Sequence, residues 1–146
     1  MTKKIPLVIM SSSGLGVDGV SMCLEKDGRL YENIHIISNS FLWDENGNAV
    51  GIRQPIIHSM NKDETLVQNF PAFQEVKNRN NVLLIGDNPE DIDMIKGFDY
   101  NNLITIGFLN EKVEENIPRY ENAYDVIITN DAPMYFVNNL LKDIIK

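Results

Sequence analysis

Only one cysteine and two histidines stand among 146 residues. A single thiol, Cys23, cannot close an internal disulfide, and so sparing a use of cysteine points to a reducing compartment, the cytoplasm. Cys23 falls in a predicted helix (Val20-Ser21-Met22-Cys23-Leu24), where packing is the expected role and redox chemistry a poor one. His58 has too few histidine or cysteine companions for a zinc site and reads as a satisfied loop histidine. Basic residues are also scarce: 13 Lys and Arg face 21 Asp and Glu, a formal charge of -8. That excludes the basic face needed by a nucleic-acid polymer or an anionic membrane, and it is compatible with a cation-dependent site. No apolar run approaches a membrane span, and the stretch after Met1-Thr2-Lys3-Lys4 is too short for a signal peptide.

What remains is an ordinary globular composition, 43% hydrophobic and 23% charged, at a length that fits a single domain over residues 1–146. Short apolar strands are predicted from Lys4 to Met10, Asn33 to Ser38, Asn81 to Ile85, Leu103 to Leu109 and Tyr124 to Thr129. Helices are predicted from Leu15 or Val17 to Lys26, Lys62 to Lys77 with a break near Pro71, Asn88 to Ile95, Glu111 to Tyr120 across Pro118, and Pro133 to Lys146. Asp44-Glu45-Asn46-Gly47-Asn48 between Phe41–Trp43 and Ala49–Arg53 is a hairpin turn near 41–53. Its ligand spacing is wrong for a calcium loop. Alternating strands and helices predict an α/β, Rossmann-like fold with a mainly parallel sheet. Ligands of such sheets sit at the carboxyl ends of strands, and the Ser11 turn and Asp87 both fall there, so one crevice is expected to serve both.

Three stretches carry candidate chemistry. In "LLIGDNPEDIDMIKG", Asn88 caps a helix, Pro89 fits its first position, and Glu90 and Asp91 complement its dipole. Asp87 needs another reason. Two charges about 4 Å apart repel by roughly 4 kcal/mol at a protein surface, and a divalent cation between Asp87 and Asp91 would offset that. Magnesium suits a few carboxylates with water and phosphate oxygens; a structural cap is the competing reading of Asp87. In "IMSSSGLGVDG", a hydroxyl turn opening into a helix either holds a phosphate or merely caps the helix. The same stretch holds Gly14, Gly16 and Gly19 at dinucleotide-binding spacing, but the strand ends too early and the next lacks a terminal acid. In "HSMNKDET", Lys62 opens a helix where a cation is unfavourable, unless it reaches an anion drawn to the same place.

In order, "IPLVIMSSSGLG", "IHIISNSFLWDENGNAVG", "IIHSMNKDETL", "NVLLIGDNPEDIDMIKG" and "ITIGFLNEKVEENIPRYENAYDVIITND" resemble the cytosolic pyrimidine 5′-nucleotidase family (cytosolic 5′-nucleotidase III) of the haloacid-dehalogenase-like superfamily. The resemblance implies that Ser11 or Ser12, with Ser11 preferred, holds the substrate phosphate. It implies that Lys62 neutralises phosphoryl oxygens, that Asp87 ligates Mg2+, and that Asp91 belongs to the metal shell or orients the lysine. It further implies hydrolysis of nucleoside 5′-monophosphates, with a pyrimidine base expected. One departure stands out: the family's reaction starts at an Asp-x-Asp nucleophile, and none precedes Ser11 here. The chain is therefore expected to correspond to the C-terminal portion of such an enzyme, with a core incomplete at its N-terminal side, and with strand edges left unpaired or the serine-turn and Gly-Asp strands forced together. By itself it is expected to be inactive. A non-catalytic phosphate- or nucleotide-binding fragment and an NAD(P)-binding oxidoreductase are the alternatives. The oligomeric state is left open.

Overall fold

The structure is a computed structural model that describes residues 5–58, 62, 68 and 70–145. The elements follow the predicted alternation. They are β1 (Leu7–Ser11), α1 (Gly16–Lys26), β2 (Ile34–Ser38), β3 (Phe41–Trp43), β4 (Ala49–Ile52), α2 (Ala72–Val76) and β5 (Asn81–Gly86). A 3-10 helix (Pro89–Ile95), β6 (Asn102–Leu109), α3 (Val113–Glu121), β7 (Val126–Thr129) and α4 (Tyr135–Ile144) complete the order. The chain folds as two compact units. The first runs to Val82 and takes in Asp93–Asn102; the second holds Leu83–Ile92 and the described residues from Leu103 on.

In the first unit β1 and β2 pair in parallel, with Leu7 opposite Ile34 and Ser11 opposite Ser38. Ile37 and Ile57 are its buried centre, packed by Val8, Met10, Phe70, Phe73, Val76 and Phe98. The hairpin forms where Asn46-Gly47 foretold it: β3 and β4 pair antiparallel. Its turn is closed by Asp44, whose Oδ1 accepts the amides of Asn46 and Asn48 at 2.9 and 2.8 Å. Gly47 takes φ +80, open to glycine without strain. The Asn48 side-chain amide, with the backbone amides beside it, holds the Asp44 carboxyl below its ordinary pKa.

The second unit shows why continuous apolar strands are needed. Its sheet has the order β5, β6, β7, with β6 and β7 parallel. Side chains alternate across a strand. Ile104, Ile106 and Phe108 therefore meet Leu83, Ile85, Val126, Ile128 and the α4 residues Val137, Leu140 and Leu141 on one face. Leu109 meets Ile127, Tyr120, Tyr124, Val113 and Ile117 on the other. Both faces are thus covered, as in parallel sheets generally. Each fully buried aliphatic contributes about 1.5–3 kcal/mol.

Several expectations need correction. Cys23 is exposed on α1, so it does not take the packing role expected of it. Asn88–Ile95 is a 3-10 helix from Pro89, not an α-helix; its first turn closes from i to i+3, the Asn88 carbonyl accepting the Asp91 amide at 2.8 Å. Of the helix predicted over Lys62 to Lys77, positions 63–67 and 69 lie outside the described residues. Lys62 itself lies in irregular backbone, and regular helix is found at Ala72–Val76, beginning directly after Pro71. The helix across Pro118, by contrast, forms as predicted, with the proline carried inside α3.

Candidate active site

At the end of β1 the serine turn is locally organised. The Ser11 hydroxyl accepts the Ser13 amide at 3.2 Å, and the Ser13 hydroxyl accepts the Leu15 amide at 3.0 Å. A hydroxyl that accepts a bond still has its own proton to donate, so the half-buried Ser11 retains a donor for an anion. Ser12 is exposed on the turn. Gly16 opens α1 at φ +65, and a Cβ there would stand 2.6 Å from the Asn39 carbonyl. The glycine is therefore explained by close packing of the helix start on the end of β2, with no dinucleotide required.

Two neighbours of this turn went unnoticed in the sequence. Ser38 is Ser11's partner in the parallel ladder, and registered partners put their side chains on the same face of the sheet. Ser38 is 3% exposed, and its hydroxyl has no hydrogen-bond partner among the described residues. Asn39, also buried, clamps Ile57 twice, donating to its carbonyl at 3.0 Å and accepting its amide at 2.8 Å. Its own carbonyl accepts the amide of Val17 at 2.8 Å. The only sequence signal for either was position: both stand at the carboxyl end of a strand. Lys62 belongs to the same unit and is half-buried.

The acid-rich stretch resolves residue by residue. Glu90 pairs with Arg119 at 3.0 Å. Asp93 pairs with Lys96 at 3.0 Å. Asp91 is 6% exposed, and its Oδ2 accepts the backbone amides of Asp87 and Asn88, both at 3.1 Å. Asn88 caps as expected, its Oδ1 accepting the Glu90 amide at 3.1 Å. Asp87 remains: it is exposed at the mouth of β5, and its carboxylate makes no hydrogen bond or ion pair among the described residues. The structure thus separates the two aspartates in character: Asp91 is turned onto the loop backbone, and Asp87 presents a carboxylate to solvent.

Tyrosines complete the loop. The Tyr120 hydroxyl donates to the Asp87 carbonyl, and the Tyr124 hydroxyl donates to the Asn88 carbonyl at 2.5 Å. Burial, then the nearby Asp87 and Asp91 charges, raise the Tyr120 pKa; burial and then Asp91 raise that of Tyr124. Both stay protonated donors. Room for Tyr124 comes from two glycines: a Cβ on Gly86 would stand 2.5 Å from its hydroxyl, and one on Gly107 would meet its ring.

Among the described residues no group of three or more His, Cys, Asp or Glu is arranged to hold a metal. Magnesium keeps several waters and needs only one or two carboxylates beside phosphate oxygens. The exposed carboxylate of Asp87 at a strand end fits that demand. No helix among the described residues is long and apolar enough to cross a membrane.

Comparison with known proteins gives a consistent result. The family described as "Pyrimidine 5'-nucleotidase (UMPH-1)" matches residues 1–145. The 7-methylguanosine phosphate-specific 5'-nucleotidase of Rattus norvegicus is 36% identical over 143 residues, covering 97% of this chain and 47% of that protein. Its Homo sapiens counterpart is 37% identical over 142 residues, with 97% and 47% covered. The putative cytosolic 5'-nucleotidase 3 of Caenorhabditis elegans is 33% identical over 145 residues, with 97% and 38% covered. The crystal structure of cytosolic 5'-nucleotidase IIIB bound to cytidine superposes with a TM-score of 0.86 at 28% identity, over 95% of this chain and 46% of that one. The chain spans about half the length, or less, of the curated relatives it matches. A match along nearly all of these residues, joined to the same α/β architecture, makes the chain a member of the pyrimidine 5′-nucleotidase (UMPH-1) family, with a haloacid-dehalogenase-like fold.

Proposed function

We propose that this chain carries the phosphate- and cation-handling residues of a magnesium-dependent phosphohydrolase acting on nucleoside 5′-monophosphates, with pyrimidine nucleotides as substrates. The observation that carries the reading is the isolation of Asp87. Every other acid of its stretch is satisfied by an amide or a cation, while Asp87 presents a carboxylate at a strand end in a family of nucleotidases.

The roles follow from the chemistry of each side chain. Ser11, with Ser12 beside it, donates its hydroxyl proton to a phosphoryl oxygen. Lys62 offsets the charge of the phosphoryl group. Asp87 is the carboxylate that would hold Mg2+, and Asp91 fixes the backbone that carries Asp87. When bound, the cation neutralises charge on the phosphoryl oxygens. No Asp-x-Asp precedes Ser11 within these residues, and carboxylate attack on phosphorus needs such a nucleophile. A chain of these residues alone is therefore expected to bind substrate without turnover. The names of the curated relatives favour a second reading of the base, 7-methylguanosine monophosphate.

Equilibrium dialysis of the purified chain with CMP, UMP and 7-methylguanosine monophosphate, with Mg2+ or with chelator, tests the reading. Binding should depend on Mg2+ and weaken about tenfold or more in Ser11→Ala and Lys62→Met, with no phosphate released. Loss of a charge-assisted hydrogen bond costs about 1.5–3 kcal/mol, which sets that scale. The absence of nucleotide binding under both conditions would reject the reading. Brisk Mg2+-dependent phosphate release would reject the inactivity of the isolated chain. NADH binding that survives chelation would favour an oxidoreductase instead.

A further inference from the structure

We propose that Tyr120 and Tyr124 are positioning residues for Asp87, holding the loop so that its carboxylate is preset for a divalent cation. The proposal rests on the reading of Asp87 as that cation's ligand.

All four backbone polar groups of the Asp87-Asn88 pair are spoken for. Their amides donate to Asp91 Oδ2 at 3.1 Å each. Their carbonyls accept the hydroxyls of Tyr120 and Tyr124, and the Asn88 carbonyl also accepts the Asp91 amide at 2.8 Å. A backbone held on both its donor and acceptor sides has little freedom in φ and ψ, so the carboxylate of Asp87 keeps only its own side-chain torsions. The two tyrosines are themselves fixed. Tyr120 is 7% and Tyr124 5% exposed, and they pack on each other with ring centres 5.7 Å apart. Gly86 and Gly107 lack the Cβ atoms that would displace Tyr124. This is a built arrangement: two buried phenols reach out of a core to the carbonyls of one exposed acid and of the residue after it. Groups that orient a metal ligand from behind govern affinity, and their loss costs about 10–100-fold.

The test is a titration of the purified chain with Mn2+, read by electron paramagnetic resonance, on wild type, Tyr120→Phe, Tyr124→Phe and Asp87→Asn. The Phe variants keep the rings and lose only the hydroxyls. Asp87→Asn should abolish the site, and each Phe variant should raise the Mn2+ dissociation constant about tenfold. Loss of binding in Asp87→Asn together with wild-type affinity in both Phe variants would overturn the positioning role alone. Wild-type affinity in Asp87→Asn would overturn the reading of Asp87, and the inference with it. A second measurement needs no metal: amide hydrogen exchange at Asp87 and Asn88 should quicken in the Phe variants while β6 amides stay protected. Unchanged exchange at the loop, or loss of protection through β6 as well, would reduce the tyrosines to general packing.

Discussion

At the scale of single residues, the loop after β5 shows how an acid-rich stretch is tolerated. Three of its four carboxylates are offset close at hand, by Arg119, by Lys96 and by two backbone amides. The tyrosines behind the loop make a statement about pH. Burial raises both phenols above their ordinary pKa, so the folded chain keeps protons that the unfolded chain releases near pH 10. Their stabilisation is fully present below about pH 10 and falls as pH rises beyond it. At pH 7, Tyr124→Phe should cost about 1 kcal/mol, the net worth of a buried hydrogen bond. In urea unfolding, the gap between wild type and Tyr124→Phe should stay constant from about pH 7 to 9 and narrow above about pH 10. A gap that stays fixed or widens at high pH would contradict the assignment of the proton to the folded state.

At the scale of elements, the sequence was most legible where a pattern had one physical solution. The predicted helix after the serine turn is found at Gly16–Lys26, and the Asn46-Gly47 turn joins Phe41–Trp43 to Ala49–Ile52 as expected. The apolar strand Leu103–Leu109 is covered on both faces, as its unbroken run required. Less legible was anything decided by contacts distant in sequence. Tyr120 and Tyr124 read as an ordinary helix end and strand start; only the folded second unit brings them to Asp87 and Asn88, more than thirty positions earlier. Ser38 and Asn39 looked like a strand terminus, and their partners lie on β1 and at Ile57. The Gly14-Gly16-Gly19 spacing had the opposite character, a motif on paper whose central glycine answers to the Asn39 carbonyl. Gly16→Ala should therefore cost about 2–4 kcal/mol, a left-handed backbone penalty added to overpacking. Thermal unfolding checks it; a variant as stable as wild type would mean that the glycine serves something other than this contact.

At the scale of the whole molecule, family membership and site chemistry rest on separate grounds. The family match spans nearly all the residues, yet the chain covers about half or less of its curated relatives. Its first unit supplies a serine turn, its second an exposed aspartate on a braced loop. Within that loop Asp87 is the carboxylate left for a cation, its neighbours being taken by amides, Lys96 and Arg119. Crystals of the chain soaked in Mn2+ offer the most direct measurement, because anomalous diffraction locates the ion itself. The account predicts a peak within coordination distance of an Asp87 carboxylate oxygen, lost in Asp87→Asn. A fully occupied Mn2+ held elsewhere, with Asp87 left to solvent, would contradict it.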